Sequence, residues 1–293
     1  MAAYVSVVMT VHNGAAYVAE ACRSILAQTH RELELLVVDD GSEDATAEIL
    51  RGITDPRLRC LRLDKPLGPF AAANRALDEA QGDLIARLDA DDVAEVERVA
   101  AQVAYLEAHP EVGLLGSGAT RIRADGTTLD TWRVPVSDVD IRFMSLLGCC
   151  LIHSSVMVRA ELLRGAHERY REDPPVAGDY DLWTRLLPRT RAAALPEPLV
   201  RYRVWDGSIS VRRRAEQERL HTAIARRWMA ETLGLGATDE DVASLRTWLM
   251  TPAREPGSRS RVLWEDLSHR FAERVGPPPS FSDAAVLARP WVR

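Results

Sequence analysis

Over the first 110 positions, short apolar runs alternate with amphipathic stretches. "VSVVMT" (5–10) is continuous, apolar and rich in β-branched residues, the pattern of a strand buried on both faces. "HNG" interrupts it, and Val18, Cys22, Ile25 and Leu26 then recur on one face of a predicted helix. "LELLVVDD" predicts a second buried strand. "GSEDATAEIL" predicts a helix with Ser42 as its N-cap and Glu43 and Asp44 suiting its positive end. "LRCLRL" reads as a third strand. Pro69 fits the first turn of a helix whose end Gly82 marks. "DLIARL" is a fourth strand, followed by a helix with Val93, Val96, Val99, Val103 and Leu106 on one face, stopping near Pro110.

This β-α-β-α-β-α-β order predicts an α/β fold, a Rossmann-like parallel sheet with helices on both faces. Such sheets bind ligands outside the carboxyl ends of their strands. Three polar clusters stand at those ends: Thr10-Val11-His12-Asn13, Asp39-Asp40-Gly41-Ser42 and Asp89-Ala90-Asp91-Asp92. Beyond residue 110 the pattern loosens. "EVGLLGSGATRIRADGTTLDTWRV" reads as strands with a hairpin turning at "ADGT". "HSSVMVRAELL" reads as a strand leading into a helix, "AGDYDLWTRLL" as a helix, and "LPEPLVRYRV" as extended. From Ser210 the chain is Arg-rich and mostly helical, broken at "TPAREPGSRSR" and "VGPPPSF".

Two carboxylates at i and i+2 just past a strand, Asp89 and Asp91, can hold Mg²⁺ or Mn²⁺ and leave positions open for phosphate oxygens. The plain alternative is a turn, since turns are rich in aspartate. An EF-hand is excluded, because Val93 stands where an oxygen ligand is needed. A haloacid-dehalogenase-type phosphatase needs a lysine after its D-x-D, and the only lysine, Lys65, comes before it. "LGSGATR" lacks the third glycine of a dinucleotide fingerprint and reads as a turn. No Walker A sequence and no G-x-S-x-G occurs. In "VAGDYDLW", Asp179 and Asp181 stand where a helix begins. Helix-terminus electrostatics explains Asp181, whereas Asp179 follows a glycine that lets a ligand approach and can accept a proton from an alcohol.

Charge and composition narrow the classes. A net charge of -6 argues against nucleic acid as a bulk partner. No apolar run has the length of a membrane span, and "MAAYVSVVMT" lacks the basic lead of a signal peptide. Cys22, Cys60, Cys149 and Cys150 form no C-x-x-C pair and no zinc spacing, which reads as reduced thiols in a cytoplasmic protein.

"VVDDGS" (37–42), "ARLDADD" (86–92), "HSSVMVRAELL" (153–163), "GDYDLWTRLL" (178–187) and "YRVWDGSIS" (202–210) occur in an order and spacing that resemble the family 2 glycosyltransferases of the GT-A fold. The resemblance implies an inverting, metal-dependent transfer of a sugar from a nucleoside-diphosphate-sugar, a UDP-sugar first, to a hydroxyl of a saccharide or lipid-linked acceptor. It puts Thr10 and His12 against the nucleotide, Asp40 on the base, and Asn74 in the helix flanking the pocket. Asp89, Ala90 and Asp91 form the D-x-D, with Asp91 the more direct ligand of Mn²⁺ or Mg²⁺. His153 lines the acceptor side, and Asp179 is the catalytic base. Gly178 replaces the family's usual glutamate, Ser154 a common proline, and Trp205 a frequent histidine near the diphosphate.

Two rivals are weaker. A sugar nucleotidyltransferase needs an arginine and a lysine that "VMTVHNGAAYVAE" lacks, and a non-catalytic nucleotide-sugar binder would have lost the carboxylates that are present. The expected organisation is a GT-A domain over 1–210, its nucleotide-sugar half at about 1–110 and its acceptor half at about 111–210. A C-terminal helical extension over 211–293 serves packing, dimerisation or contact with the inner face of an anionic membrane.

Overall fold

The apolar runs of the first half become one side of a nine-stranded sheet. β1 (Val5–Val11) pairs in parallel with β2 (Leu33–Asp39) on one side and β4 (Leu84–Arg87) on the other, and β3 (Leu58–Arg62) extends β2. Every residue of β2 is buried, as a continuous apolar run in a parallel sheet requires. The computed structural model describes residues 3–164, 168–251, 257–280 and 282–284; of the predicted breaks at 251–261 and 275–281, residues 252–256 and 281 lie outside the described residues.

The helices α1 (Val18–Leu26), α2 (Thr46–Arg51) and α3 (Pro69–Glu79) follow the first three strands as the periodicity predicts. Two boundaries differ. Ser42 does not cap α2; its hydroxyl instead accepts from the Asn13 amide at 2.9 Å, and the Asp44 carboxylate takes the Thr46 amide at 3.0 Å. Helix α3 ends at Glu79 rather than at Gly82. The predicted helix after β4 is also shorter. Val93 and Ala94 form β5, antiparallel to a later strand, Val96 is half exposed, and α4 runs only from Arg98 to Ala108. Alternate burial of valines at strand spacing and at helix spacing coincides over these few residues, which is why the pattern merged the two elements.

The second half closes the sheet. β6 (Val112–Ile122) forms a hairpin with β7 (Thr128–Trp132) through the predicted Ala124–Thr127 turn. "LGSGATR" is the body of β6, not a turn; its glycines lie in a strand crossed closely by neighbours. α5 (Asp138–Ser145), not foreseen in the sequence, precedes β8 (Met157–Arg159). β8 joins the sheet antiparallel to β4, and single 3₁₀ turns flank it in place of the expected helix. α6 (Gly178–Leu186) and β9 (Arg191–Arg203) follow, β9 lying between β6 and β5. The sheet order is thus β3-β2-β1-β4-β8-β6-β9-β5.

Four further helices complete the described chain: α7 (Ile209–Arg212), α8 (Arg214–Leu233), α9 (Asp239–Met250) and α10 (Ser258–Arg274). They pack on the second half. Phe143 of α5 meets Trp264 and Phe271 of α10 edge-on, and the buried Arg246 of α9 donates to the Leu147 carbonyl at 2.7 Å. The hydrophobic core is continuous through Leu245, Leu249, Leu267 and Phe271.

Candidate active site

The three polar clusters converge because β1, β2 and β4 are parallel neighbours and end together. At the end of β1, Thr10 is half-buried, and the His12 ring reaches back to β2 with Nδ1 2.8 Å from the Asp40 carbonyl. A carbonyl only accepts, so Nδ1 carries the proton and Nε2 accepts from the Asn13 amide at 3.1 Å. Asp39 receives the Ser42 amide at 2.9 Å, closing the turn after β2. Asp40 is buried, and its two oxygens accept the backbone N–H groups of Leu67 and Gly68 at 2.7 and 2.9 Å. Its carboxylate therefore fixes the loop before α3, and any base contact must use the remaining lone pairs.

The D-x-D turn follows β4. Arg87, buried at the end of that strand, donates through Nη2 to Asp89 Oδ1 at 3.2 Å, through Nη1 to the Val8 carbonyl at 3.1 Å, and through Nε to His153 Nε2 at 3.3 Å. Because Nε2 accepts, the His153 proton is on Nδ1, which faces Asp89 Oδ1 at 3.3 Å. Burial pushes the Asp89 carboxyl up, but His153, Arg87 and Ser154 outweigh it and hold it well below the usual carboxylate range. Ala90 packs against the core and turns the chain between the two carboxylates. Burial lifts Asp91, and the charge of Asp89 adds to that against a favourable indole N–H from Trp205. Asp92 is fully buried, accepts the Arg203 amide at 2.7 Å and is pushed well up by burial and by Asp91 and Asp89. It is a structural member of the turn.

The end of β9 clamps this turn. Arg203 is buried, yet each arm of its guanidinium has a partner: Nε donates to the Asp91 carbonyl at 2.7 Å, Nη1 to the Ala124 carbonyl at 3.0 Å, and Nη2 to Glu20 at 2.7 Å. It also lies over the Tyr17 ring at 4.4 Å.

The opposite wall comes from α6. Ala177 enters it with φ 59°, and Gly178 packs so closely under Phe70 that a Cβ would lie 2.5 Å from the ring. That contact explains why no glutamate precedes Asp179. Asp179 is half-buried, and Cys149 Sγ, held protonated by burial and the Asp179 charge, donates weakly to its Oδ2 at 3.6 Å. Phe70 stacks on Tyr170 at 5.4 Å, and the Tyr170 hydroxyl lies 2.9 Å from His153 Nε2. Burial pushes that phenol up; Arg87 opposes, while Asp179 and Asp89 both add to the rise. Asn74 lies in α3, the helix expected to flank the pocket; its side chain accepts from Tyr170 N at 3.1 Å and donates to Tyr170 O at 2.9 Å, anchoring that segment. Asp181 is buried among Arg171, Arg185 and Arg227 at 2.9, 2.9 and 2.7 Å, which is more than helix-terminus electrostatics.

Asp89 and Asp91 offer hard oxygens, and each one's charge disfavours the other's; a small divalent cation relieves that. No group of three or more His, Cys, Asp or Glu arranged for a metal occurs among the described residues. Mg²⁺ and Mn²⁺ fit such a sparse set, taking one or two carboxylates and filling the rest with phosphate oxygens and water. Arg87, Arg203, Tyr170 and Cys149 were not foreseen as site residues. Only the run "YRVW" held a signal, an arginine two places before the tryptophan in a β-strand pattern.

The family described as glycosyl transferase family 2 matches residues 6–163. The amylovoran biosynthesis glycosyltransferase AmsE of Erwinia amylovora is 31% identical over 202 residues, 66% of this chain and 73% of that one. Among solved structures, S. aureus TarS 1–349 in complex with UDP-GlcNAc aligns with a TM-score of 0.65 at 18% identity, covering 98% of this chain and 88% of that one. The mannosyltransferase PcManGT of Pyrobaculum calidifontis, in complex with GDP-Man and Mn²⁺, aligns with a TM-score of 0.62 at 20% identity, covering 99% and 88%. At these identities the structural likeness establishes the fold, GT-A.

Proposed function

The chain belongs to glycosyl transferase family 2, and on that premise we propose that it moves a sugar from a nucleoside-diphosphate-sugar to a hydroxyl acceptor with inversion, Asp179 being the general base. The reading rests on one chain of contacts: Asp89 faces His153 at 3.3 Å, His153 lies 2.9 Å from the Tyr170 hydroxyl, Tyr170 stacks on Phe70, and Phe70 packs on Gly178 beside Asp179, which links the D-x-D to the base. Asp179 takes the proton of the acceptor hydroxyl as its oxygen forms a bond to the anomeric carbon. The bond from that carbon to the diphosphate oxygen breaks on the opposite face, and the electron pair leaves with the diphosphate. Asp91, with Asp89 beside it, would hold a divalent cation, which when bound would supply positive charge against the diphosphate leaving group. Arg87 and His153 keep Asp89 ionised and oriented. Thr10, His12 and Asp40 line the nucleotide end.

UDP is the first candidate, in line with the UDP-GlcNAc bound by TarS, and GDP the second, in line with PcManGT. A polysaccharide or lipid-linked intermediate is the acceptor class, given what AmsE is named for. No helix among the described residues is long and apolar enough to cross a membrane; a cytoplasmic placement suits a nucleotide-sugar donor. In this reading about 1–110 is the donor half and about 111–210 the acceptor half, with the described C-terminal helices packed against α6 and α5.

Asp179→Asn is the test. Transfer should fall on the order of 10²- to 10⁴-fold, the usual contribution of a general base, with UDP affinity by calorimetry unchanged. Retained transfer removes Asp179 from the role.

A further inference from the structure

Trp205 stands just past β9, where the chain turns back over the D-x-D. Its indole Nε1 donates to Asp91 Oδ2 at 2.8 Å. The contact is held from several sides. Tyr17 packs edge-on against the indole, ring centres 5.2 Å apart. Gly207 gives the indole its space, since a Cβ there would fall 2.1 Å from the ring. Arg203, two residues earlier, holds the Asp91 carbonyl at 2.7 Å. Main chain and side chain of Asp91 are therefore held by one segment, with Oδ2 accepting the indole proton.

We propose that Trp205 is a specificity-determining residue: by holding Oδ2 it makes Asp91 a one-oxygen ligand and so biases the site toward Mg²⁺ or Mn²⁺ and against Ca²⁺. This rests on the metal-dependent reading above. Ca²⁺ takes 6–8 oxygens, about 2.3–2.6 Å away, and commonly both oxygens of one carboxylate. Mg²⁺ demands near-octahedral geometry at about 2.0–2.1 Å, which single carboxylate oxygens suit. An N–H donated to Oδ2 draws its electron density toward the indole and ties the carboxylate plane to Trp205. Both effects disfavour the two-oxygen mode and leave the one-oxygen mode intact.

The test is competition for the site in the presence of UDP. Free Mn²⁺ is followed by its electron paramagnetic resonance signal while Ca²⁺ is added, with the wild type, Trp205→Phe and Gly207→Ala. Phenylalanine keeps a ring against Tyr17 but has no proton to give; alanine at 207 pushes the indole off Asp91 while keeping it. In both variants the Ca²⁺-to-Mn²⁺ affinity ratio should rise about tenfold, the scale on which groups behind a metal ligand act. A purely packing role would change both affinities together and leave the ratio alone. An unchanged ratio in the variants, with Mn²⁺ bound by the wild type, overturns this inference and leaves the transferase reading standing. No Mn²⁺ binding by the wild type with UDP overturns both the metal reading and this inference.

Discussion

Gly178→Ala isolates the contact that shapes the approach to Asp179. An added Cβ would meet three Phe70 ring atoms at 2.5, 2.6 and 2.7 Å. Phe70 cannot swing away: it is 8% exposed and stacks on Tyr170 at an interplanar angle of 8°. Overpacking of this kind costs about 1–3 kcal/mol. Alanine regains about 0.5–1 kcal/mol over glycine inside a helix, less at the first turn, so a net loss of about 2 kcal/mol is expected. For a chain of this size that lowers the melting temperature by about 4–6 °C. The larger effect is on rate. Asp179 is the next residue, and shifting the start of α6 to relieve the clash moves its carboxylate; a misplacement of about 1 Å can lower kcat on the order of 10²-fold. UDP affinity should hold, because the D-x-D and Asp40 lie on other elements. Thermal unfolding and initial-rate kinetics of Gly178→Ala, Phe70→Leu and the double variant form a cycle. Leucine should relieve the clash, giving a coupling of about 1 kcal/mol or more. A Gly178→Ala protein with unchanged melting temperature and full kcat, or a cycle with no coupling, refutes the reasoning.

Asp91→Ala should abolish the Mn²⁺ dependence of UDP binding in calorimetric titration, and a variant that still binds UDP more tightly with Mn²⁺ removes Asp91 from that role. Asp181→Asn leaves Arg185 and Arg227 facing each other without their buried carboxylate. Breaking such a pair costs about 3–5 kcal/mol; allowing for the part-exposed arginines, a loss of about 3 kcal/mol in urea unfolding is expected, and a loss under about 1 kcal/mol refutes it. His221 has a buried Nε2 and stacks edge-on against Tyr180, and burial, then Arg246, pushes it down to about 3. The unfolded chain binds this proton from about pH 6.5 downward. Stability is therefore complete above that value and falls as pH drops toward 3, by at most about 1.4 kcal/mol per pH unit. His221→Phe should show a flatter stability profile than the wild type between those limits, measured by chemical unfolding, and parallel profiles would contradict this.

Local pattern was enough for β1, β2 and β4 and for the carboxylates at their ends, because parallel buried strands announce themselves as mainly apolar runs, and alternation marked the exposed edge strand β3. It failed where neighbours far along the chain decide the outcome. Val93 joins a strand only because β9 arrives beside it, and Ser42 serves the Asn13 amide rather than a helix. The same holds for the site. Asp89, Asp91 and Asp179 stand out by type and spacing, and His153 through the family resemblance, whereas little in the local sequence marks Arg203. Its burial depends on Glu20, Tyr17 and the hairpin turn at Ala124, none of which is near it in sequence. The sequence shows only that glycine replaces the family's usual glutamate at 178; the close packing of Phe70, far earlier in the chain, is a physical reason for it.

The clamp on Asp91 has a bearing on how the protein is made. The hydrogen bonds from Arg203 and Trp205 to Asp91 close loops of 112 and 114 residues. Loop closure of that length is entropically costly and slow compared with local contacts. A nascent chain that has emerged only through α4 can pair β1, β2, β3 and β4, but its aspartates lack the strap that fixes them. The D-x-D would thus be set by the last hundred or so codons to be read rather than the first, and a premature stop before Trp205 would leave a protein whose aspartates are present and still unset.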